Sequence, residues 1–159
     1  KTGHSLIKNK MAENNCKIGG EMSGHIFFAD DYFGYDDAIY VAGRLIQMLS
    51  NTEKTLSELK SVIPKYISTP EIRLEAESDE KKFEIAKMAE DYFSKNYDCI
   101  TVDGVRVKFK DGWGLVRASN TQPVIVCRFE GNTLDNMIKI QSIILDKLKE
   151  FGNLKIGSH

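Results

Sequence analysis

The stretch DGWGLVRASNTQPVIVCRFE, residues 111–130, decides how the second half of this chain folds. Asp111-Gly112 is a strong short-range hairpin signal, since both residues tolerate the backbone that a tight turn between strands demands. On its left, Val105 to Phe109 has strand character, and on its right so does Trp113 to Arg117. Val124 to Phe129 is a further β run, rich in β-branched residues. Working outward, Ile100 to Val102 reads as a strand that meets Val105 across Asp103-Gly104, and Ile72, Leu74 and Ala76 alternate with charged residues as a half-buried strand does. A polar break at Ser78-Asp79 starts a helix whose apolar side is Phe83, Ala86, Ala89 and Phe93. Leu134, Met137, Ile138, Gln141, Ile144, Leu145 and Leu148 trace a closing helix. The expectation for residues 71–154 is therefore an α+β domain, β-α-β-β-β-α, with a four-stranded antiparallel sheet and two helices on one face. The charge run Glu77 to Lys82 reads as a solvated helix entrance.

Upstream, Pro64 and Pro70 bracket a stretch whose Ile67-Ser68-Thr69-Pro70 core reads as a linker or hinge, because each proline drives its predecessor toward extended backbone. Residues 1–66 read as α/β, a mixed sheet with helices. Leu6, Ile7 and Met11 suit a short helix, and Cys16 to Ile18 and Ile26 to Phe28 are strand-like on either side of a glycine-rich turn. Asp36 or Asp37 caps a helix through Ser50, with Ile39, Ala42, Leu45, Ile46 and Leu49 on its face. Thr55 to Ile63 is a shorter helix stopped by Pro64. The abrupt opening Lys1-Thr2-Gly3-His4 is expected for a piece of something longer, and residues 155–159, ending Gly157-Ser158-His159, read as a tail left by a vector.

Composition removes several function classes. Of the 159 residues, 42% are hydrophobic and 28% charged, which excludes wholesale disorder. The formal net charge of −1 argues against a nucleic-acid binder, which carries a basic excess. No run approaches the ~20 apolar residues of a membrane helix. Cys16, Cys99 and Cys127 are scattered and odd in number, which suits a reducing cytoplasm rather than a disulfide framework. Of the imidazoles, His4, His25 and His159, no two have helical ligand spacing, so no metal site is expected.

Two turns carry chemistry. Gly20-Glu21-Met22-Ser23-Gly24-His25 places a carboxylate, a hydroxyl and an imidazole at alternate positions, which an extended segment would point to one side. A carboxylate accepts from two adjacent sugar hydroxyls, and serine both donates and accepts. An ordinary strand-turn-strand with polar tips has the same composition. Arg117-Ala118-Ser119-Asn120-Thr121-Gln122-Pro123 combines a guanidinium, two hydroxyls and free backbone N–H groups, the makings of a phosphate cradle. A plain polar hairpin loop also reads this way.

Taken together, the segments KTGHSLIK, GGEMSGHIFF, FGYDDAIY, ISTPEI, DGVRV and GWGLVRASNTQPVIVCRFE, in that order from Lys1 to about Phe151, resemble the C-terminal part of the α-D-phosphohexomutase superfamily. The wording GEMSGH with RASNT is most similar to its bacterial phosphomannomutase/phosphoglucomutase branch. The resemblance implies a four-domain enzyme of which residues 1–66 are the end of domain three and residues 71–154 domain four. It implies interconversion of hexose 6-phosphate and hexose 1-phosphate through a phosphoserine enzyme and a bisphosphate intermediate. The phosphoserine and the Mg²⁺-binding aspartates would then lie in the missing N-terminal domains 1 and 2, so this chain alone would be inactive and bind no cofactor. By the same resemblance Glu21, Met22, Ser23 and Gly24 form the sugar loop, with Glu21 and Ser23 on ring hydroxyls O3 and O4. His25 is the general acid/base and His4 a ligand contact. Arg117, Ala118, Ser119, Asn120 and Thr121 hold the non-reacting phosphate, and Gln122 stands where relatives often have Thr or Glu.

Other residues take plainer readings. Trp113 packs beside the hairpin, Phe27, Phe28, Tyr32 and Phe33 are core or domain contacts, and Asp30-Asp31 and Asp36-Asp37 serve capping and solvation. The alternatives are a phosphoglucosamine mutase fragment and a non-catalytic sugar-phosphate binding module. Hexose phosphate is the expected partner, with no nucleic acid and no membrane.

Overall fold

The structure, a computed structural model, describes residues 1–157 and divides after Pro64 into two units. In the first, helix α1 (His4–Glu13) buries Met11. Strands β1 (Ile18–Gly20) and β2 (Ile26–Phe28) pair antiparallel with Gly20 opposite Ile26, so the expected mixed sheet is here a two-stranded ribbon. The first strand runs from Ile18 to Gly20 rather than from Cys16 to Ile18, since Ile18, Gly19 and Gly20 are the residues that face Phe28, Phe27 and Ile26. Helix α2 (Ala38–Ser50) starts at Asp37, whose carboxylate accepts from the N–H groups of Ile39 and Tyr40 at 3.0 Å each. Its amphipathic stripe has no cover within this unit, and Ile39 is 87% exposed. Helix α3 (Leu56–Ser61) opens with a capping box, Thr55 and Glu58 each satisfying the other's backbone N–H.

A cluster of rings and ions replaces a larger core. Tyr32 stacks on Tyr40 at 3.8 Å, and Arg44 lies 4.5 Å above the Phe28 ring while gripping both carboxylate oxygens of Asp30 at 2.9 and 2.7 Å. Those hydrogen bonds from Arg44 hold the Asp30 carboxyl down at about 2, against its usual 3.8.

The second unit contains β3 (Ile67–Ser68), β4 (Ile72–Glu75), α4 (Asp79–Asn96), β5 (Cys99–Ile100), β6 (Val105–Phe109), β7 (Gly112–Ala118), β8 (Val124–Gly131), α5 (Leu134–Phe151) and β9 (Lys155–Ile156). The sheet runs β5-β6-β7-β8-β4-β9, every pair antiparallel, with the four expected strands in the middle. Strand β3 shares β8 with β4. Residues 67–70, read from the sequence as a linker or hinge, thus make ladder contacts within the second unit. Pro70 has no N–H to give the ladder, and Thr69 supplies the missing bonds, its N–H donating to the Phe129 carbonyl at 2.9 Å and its Oγ1 accepting from Phe129 N–H at 3.1 Å. The expected tail is corrected in part: Ile156 and Lys155 lie opposite Leu74 and Glu75 as an edge strand. Ser158 and His159, the end of that tail, lie outside the described residues.

Both helices cover one face of this sheet. Ile85, Ala89 and Phe93 from α4 and Met137, Ile140, Ile144 and Leu148 from α5 pack against Val105, Val107, Val116, Ile125, Cys127 and Phe129. The strand residues obey period two, and each large apolar side chain so buried stabilises by about 1.5–3 kcal/mol. Burial pushes the Cys127 thiol up to about 12. Gly114 makes the close approach possible, since a Cβ there would run into Ile144 Cδ1 and the Phe129 ring. The inward face of α4 is rotated from expectation: Lys82, Ile85, Ala89 and Phe93 are buried while Phe83 is 52% exposed. Lys82 is thus no part of a solvated charge run. Among the described residues no helix is long and apolar enough to cross a membrane.

Candidate functional site

The glycine-rich turn of the first unit closes through Glu21 N–H to the His25 carbonyl at 2.9 Å and Gly24 N–H to the Glu21 carbonyl at 3.0 Å. Gly24 sits at φ 92°, a conformation that only glycine takes without strain. Residues 21–24 therefore form a turn, and the alternate-position argument does not describe them. Glu21 and Ser23 meet all the same: Ser23 Oγ donates to Glu21 Oε2 at 3.3 Å, and Gly3 N–H donates to Oε1 at 2.8 Å. The carboxylate is anchored at one end of α1 and still has unused lone pairs. Met22 at the tip is exposed.

His25 pairs with a different carboxylate. Its Nδ1 lies 2.5 Å from Asp36 Oδ2, and His4 Nε2 lies 3.8 Å from the same oxygen. The two imidazoles meet edge-on at 4.5 Å, and His4 also meets the buried Phe27 ring at 5.5 Å. Phe27 bridges to Asp36 in antiparallel fashion, which brings the carboxylate to the ribbon. Asp36 and Asp37, read alike from the sequence, divide their work: Asp37 caps α2, and Asp36 binds the histidine. Asp36 is the candidate site residue that sequence reasoning missed, and the doubled aspartate, one residue more than a cap needs, was the available signal.

His4, His25 and Asp36 also form a group that could hold a metal ion, their ligand atoms lying within 4.8 Å of one another. That convergence of His4 with His25 was not expected from their spacing. Two imidazoles and one carboxylate suit a transition metal and do not suit Mg²⁺, which takes an octahedron of oxygens.

The second turn joins β7 to β8. Arg117, near the end of β7, is 24% exposed and places Nη1 3.4 Å from Asp103 Oδ2. Gly104, at φ 69°, lets the Asp103 turn lie against Arg117, since a Cβ there would overlap Val116 O and the Arg117 backbone. Ser119 N–H donates to the Val124 carbonyl at 2.9 Å, and Ser119 Oγ accepts from the N–H groups of Thr121 and Gln122 at 3.3 Å each. Asn120 and Thr121 are exposed at the tip. Gln122 is a structural hub: its Oε1 accepts from Arg73 Nη1 at 2.9 Å and its carbonyl from Val124 N–H at 2.8 Å. Trp113 donates Nε1–H to Glu130 at 2.9 Å and carries Arg106 on its ring at 4.3 Å, a packing role as expected.

Comparison with known proteins covers the regions that contain both turns. Residues 1–66 match the family model described as phosphoglucomutase/phosphomannomutase, alpha/beta/alpha domain III, and residues 71–147 match the phosphoglucomutase/phosphomannomutase C-terminal domain. A phosphomannomutase/phosphoglucomutase of Pseudomonas aeruginosa is 46% identical over 149 residues, 94% of this chain and 32% of the relative. A phosphoglucomutase of Neisseria gonorrhoeae is 41% identical over 144 residues, 89% of this chain and 31% of the relative. A crystal structure of a phosphoglucomutase/phosphomannomutase family protein from Burkholderia thailandensis superposes with a TM-score of 0.82 at 36% identity, over 97% of this chain and 33% of that one. The chain thus spans about a third of the length of the relatives it matches. With both of its turns inside matched regions, the chain belongs to the phosphoglucomutase/phosphomannomutase family, of which it carries the domain III and C-terminal domain matches.

Proposed function

We propose that the protein to which this chain belongs interconverts hexose 6-phosphate and hexose 1-phosphate, with mannose and glucose as the sugars, through a phosphoserine enzyme and a bisphosphate intermediate. In this reading the present residues recognise the two ends of the substrate. Glu21 and Ser23 accept and donate hydrogen bonds at O3 and O4, and a site gripping those hydroxyls tolerates either configuration at C2. Arg117 and the backbone N–H groups of residues 118–121 hold the phosphate that is not reacting, where charge-assisted bonds fix it without chemistry. Phosphoryl transfer depends mainly on such positioning and charge stabilisation. Mg²⁺, when bound by the N-terminal domains, supplies neutralisation of the transferring group.

The observation that supports this most directly is the His25–Asp36 pair. The hydrogen bond between His25 Nδ1 and Asp36 Oδ2 orients the imidazole, and in this reading its Nε2 is the atom that exchanges a proton with the sugar hydroxyl. The free thiols at Cys16, Cys99 and Cys127 suit the reducing cytoplasm, where we place the reaction. The test is turnover of mannose 1-phosphate and glucose 1-phosphate by the full-length protein, its His25→Gln variant and this chain alone. Turnover by the full-length protein, lost in the variant and absent from the chain alone, is expected. A full-length protein inactive on both sugars, or activity in this chain by itself, would overturn the reading.

A further inference from the structure

One buried charge belongs to neither turn. Lys82 is 1% exposed in the first turn of α4, although lysines are rarely buried completely and the helix dipole opposes a cation at that end. Its Nζ donates to Asp79 Oδ1 at 2.9 Å and to the Gln122 carbonyl at 2.7 Å, and stands 4.8 Å over the Phe83 ring. Asp79 does not account for the burial, because its side chain is 65% exposed and would pair as well with a lysine in solvent. What draws the ammonium inward is a backbone carbonyl forty positions along the chain, at the point where the arginine-led turn re-enters β8. The same residue gives its N–H to Ser119 Oγ, so its carbonyl and its N–H lie on one mechanical path from Lys82 to the turn.

We propose that Lys82 is a positioning residue for phosphate recognition, holding the Ser119–Gln122 backbone, through the Gln122 carbonyl, in the shape that presents its N–H groups to an anion. This rests on the phosphate-binding reading of that turn. A charge-assisted bond to a carbonyl is a firmer anchor than a neutral one, and its loss leaves the carbonyl to the Val124 N–H.

Three variants of the full-length protein test the idea through kcat and KM for glucose 1-phosphate alongside Tm. Lys82→Met keeps the unbranched stem and removes the donor; it should raise KM about ten- to thirty-fold with kcat within about two-fold, the pattern of lost uniform binding. Asp79→Asn keeps the Gln122 contact and should leave KM within about two-fold, whatever it does to Tm. Arg117→Ala is the reference: if it raises KM and Lys82→Met does not, the proposal falls while the phosphate reading stands. Where Lys82→Met does not fold, inorganic phosphate titrated into the full-length wild-type protein gives the answer by NMR. The Lys82 ammonium signal should move together with the Ser119–Gln122 amides. Amides that move without it overturn the proposal, and a titration that moves neither overturns it together with the reading beneath it.

Discussion

Arg117→Ala in the full-length protein is the sharpest test of the proposed phosphate cradle. Truncating one partner of a buried charged pair costs about 2–5 kcal/mol. Arg117 is 24% exposed and already has Asp103 at 3.4 Å, so an incoming phosphate must share the guanidinium with a carboxylate. Both facts place the loss at the lower end, about 2–3 kcal/mol, or about 30- to 150-fold in affinity. Asp103→Asn makes the argument two-sided. It keeps the shape, removes a negative charge from the mouth of the cradle and releases Arg117, so phosphate should bind about two- to five-fold more tightly, the scale of a partly exposed ion pair. The assay is isothermal titration of the full-length protein with glucose 1-phosphate at two ionic strengths, with the effects of both variants shrinking in salt. Unchanged affinity in Arg117→Ala would remove the guanidinium from the site. Weaker binding in Asp103→Asn would mean that Asp103 orients Arg117 rather than competing for it.

Three further outcomes follow from the fold. Gly114→Ala should destabilise the second unit by about 1–3 kcal/mol through overlap with Ile144 Cδ1, and Ile144→Val, which removes that methyl, should recover part of the loss; strictly additive urea-unfolding energies would refute the packing. A thiol reagent at mild alkaline pH should label the exposed Cys16 at once and spare Cys127, whose buried thiol is pushed up to about 12, until denaturant is added; mass spectrometry of labelled peptides reads this. The Asp30–Arg44 pair fixes a pH window. Because the folded carboxyl is depressed, its contribution is complete above the usual 3.8 and is lost as pH falls toward about 2, so near-ultraviolet dichroism of the tyrosine cluster should fade across that interval, and at higher pH in Arg44→Met.

Features written in adjacent residues were legible in the sequence. Asp111-Gly112 announces its hairpin, Asp36-Asp37 a cap that falls to Asp37, Pro64 the end of the short helix after Thr55, and Val105 to Phe109 the strand β6. What was hidden depends on partners far along the chain. His4, His25 and Asp36 meet only because the ribbon and the start of α2 are brought together at Phe27. Thr69 enters the ladder by using a side chain where Pro70 cannot donate, so a stretch punctuated like a linker is pinned to β8. Lys82 reads as a surface charge because what buries it is a carbonyl, and carbonyls leave no mark in sequence.

The unequal cores of the two units bear on how the chain acquires its shape. The first unit buries Met11 and Phe27, while the second seals a full helix-on-sheet interior around Phe93, Phe129 and Ile144. Protection of amides from deuterium should follow that division, deep in β7 and β8 and shallow along α2. The arginine-led turn is thereby mounted on the slowest-opening part of its unit, and the glycine-rich turn on a unit with far less interior to hold it shut.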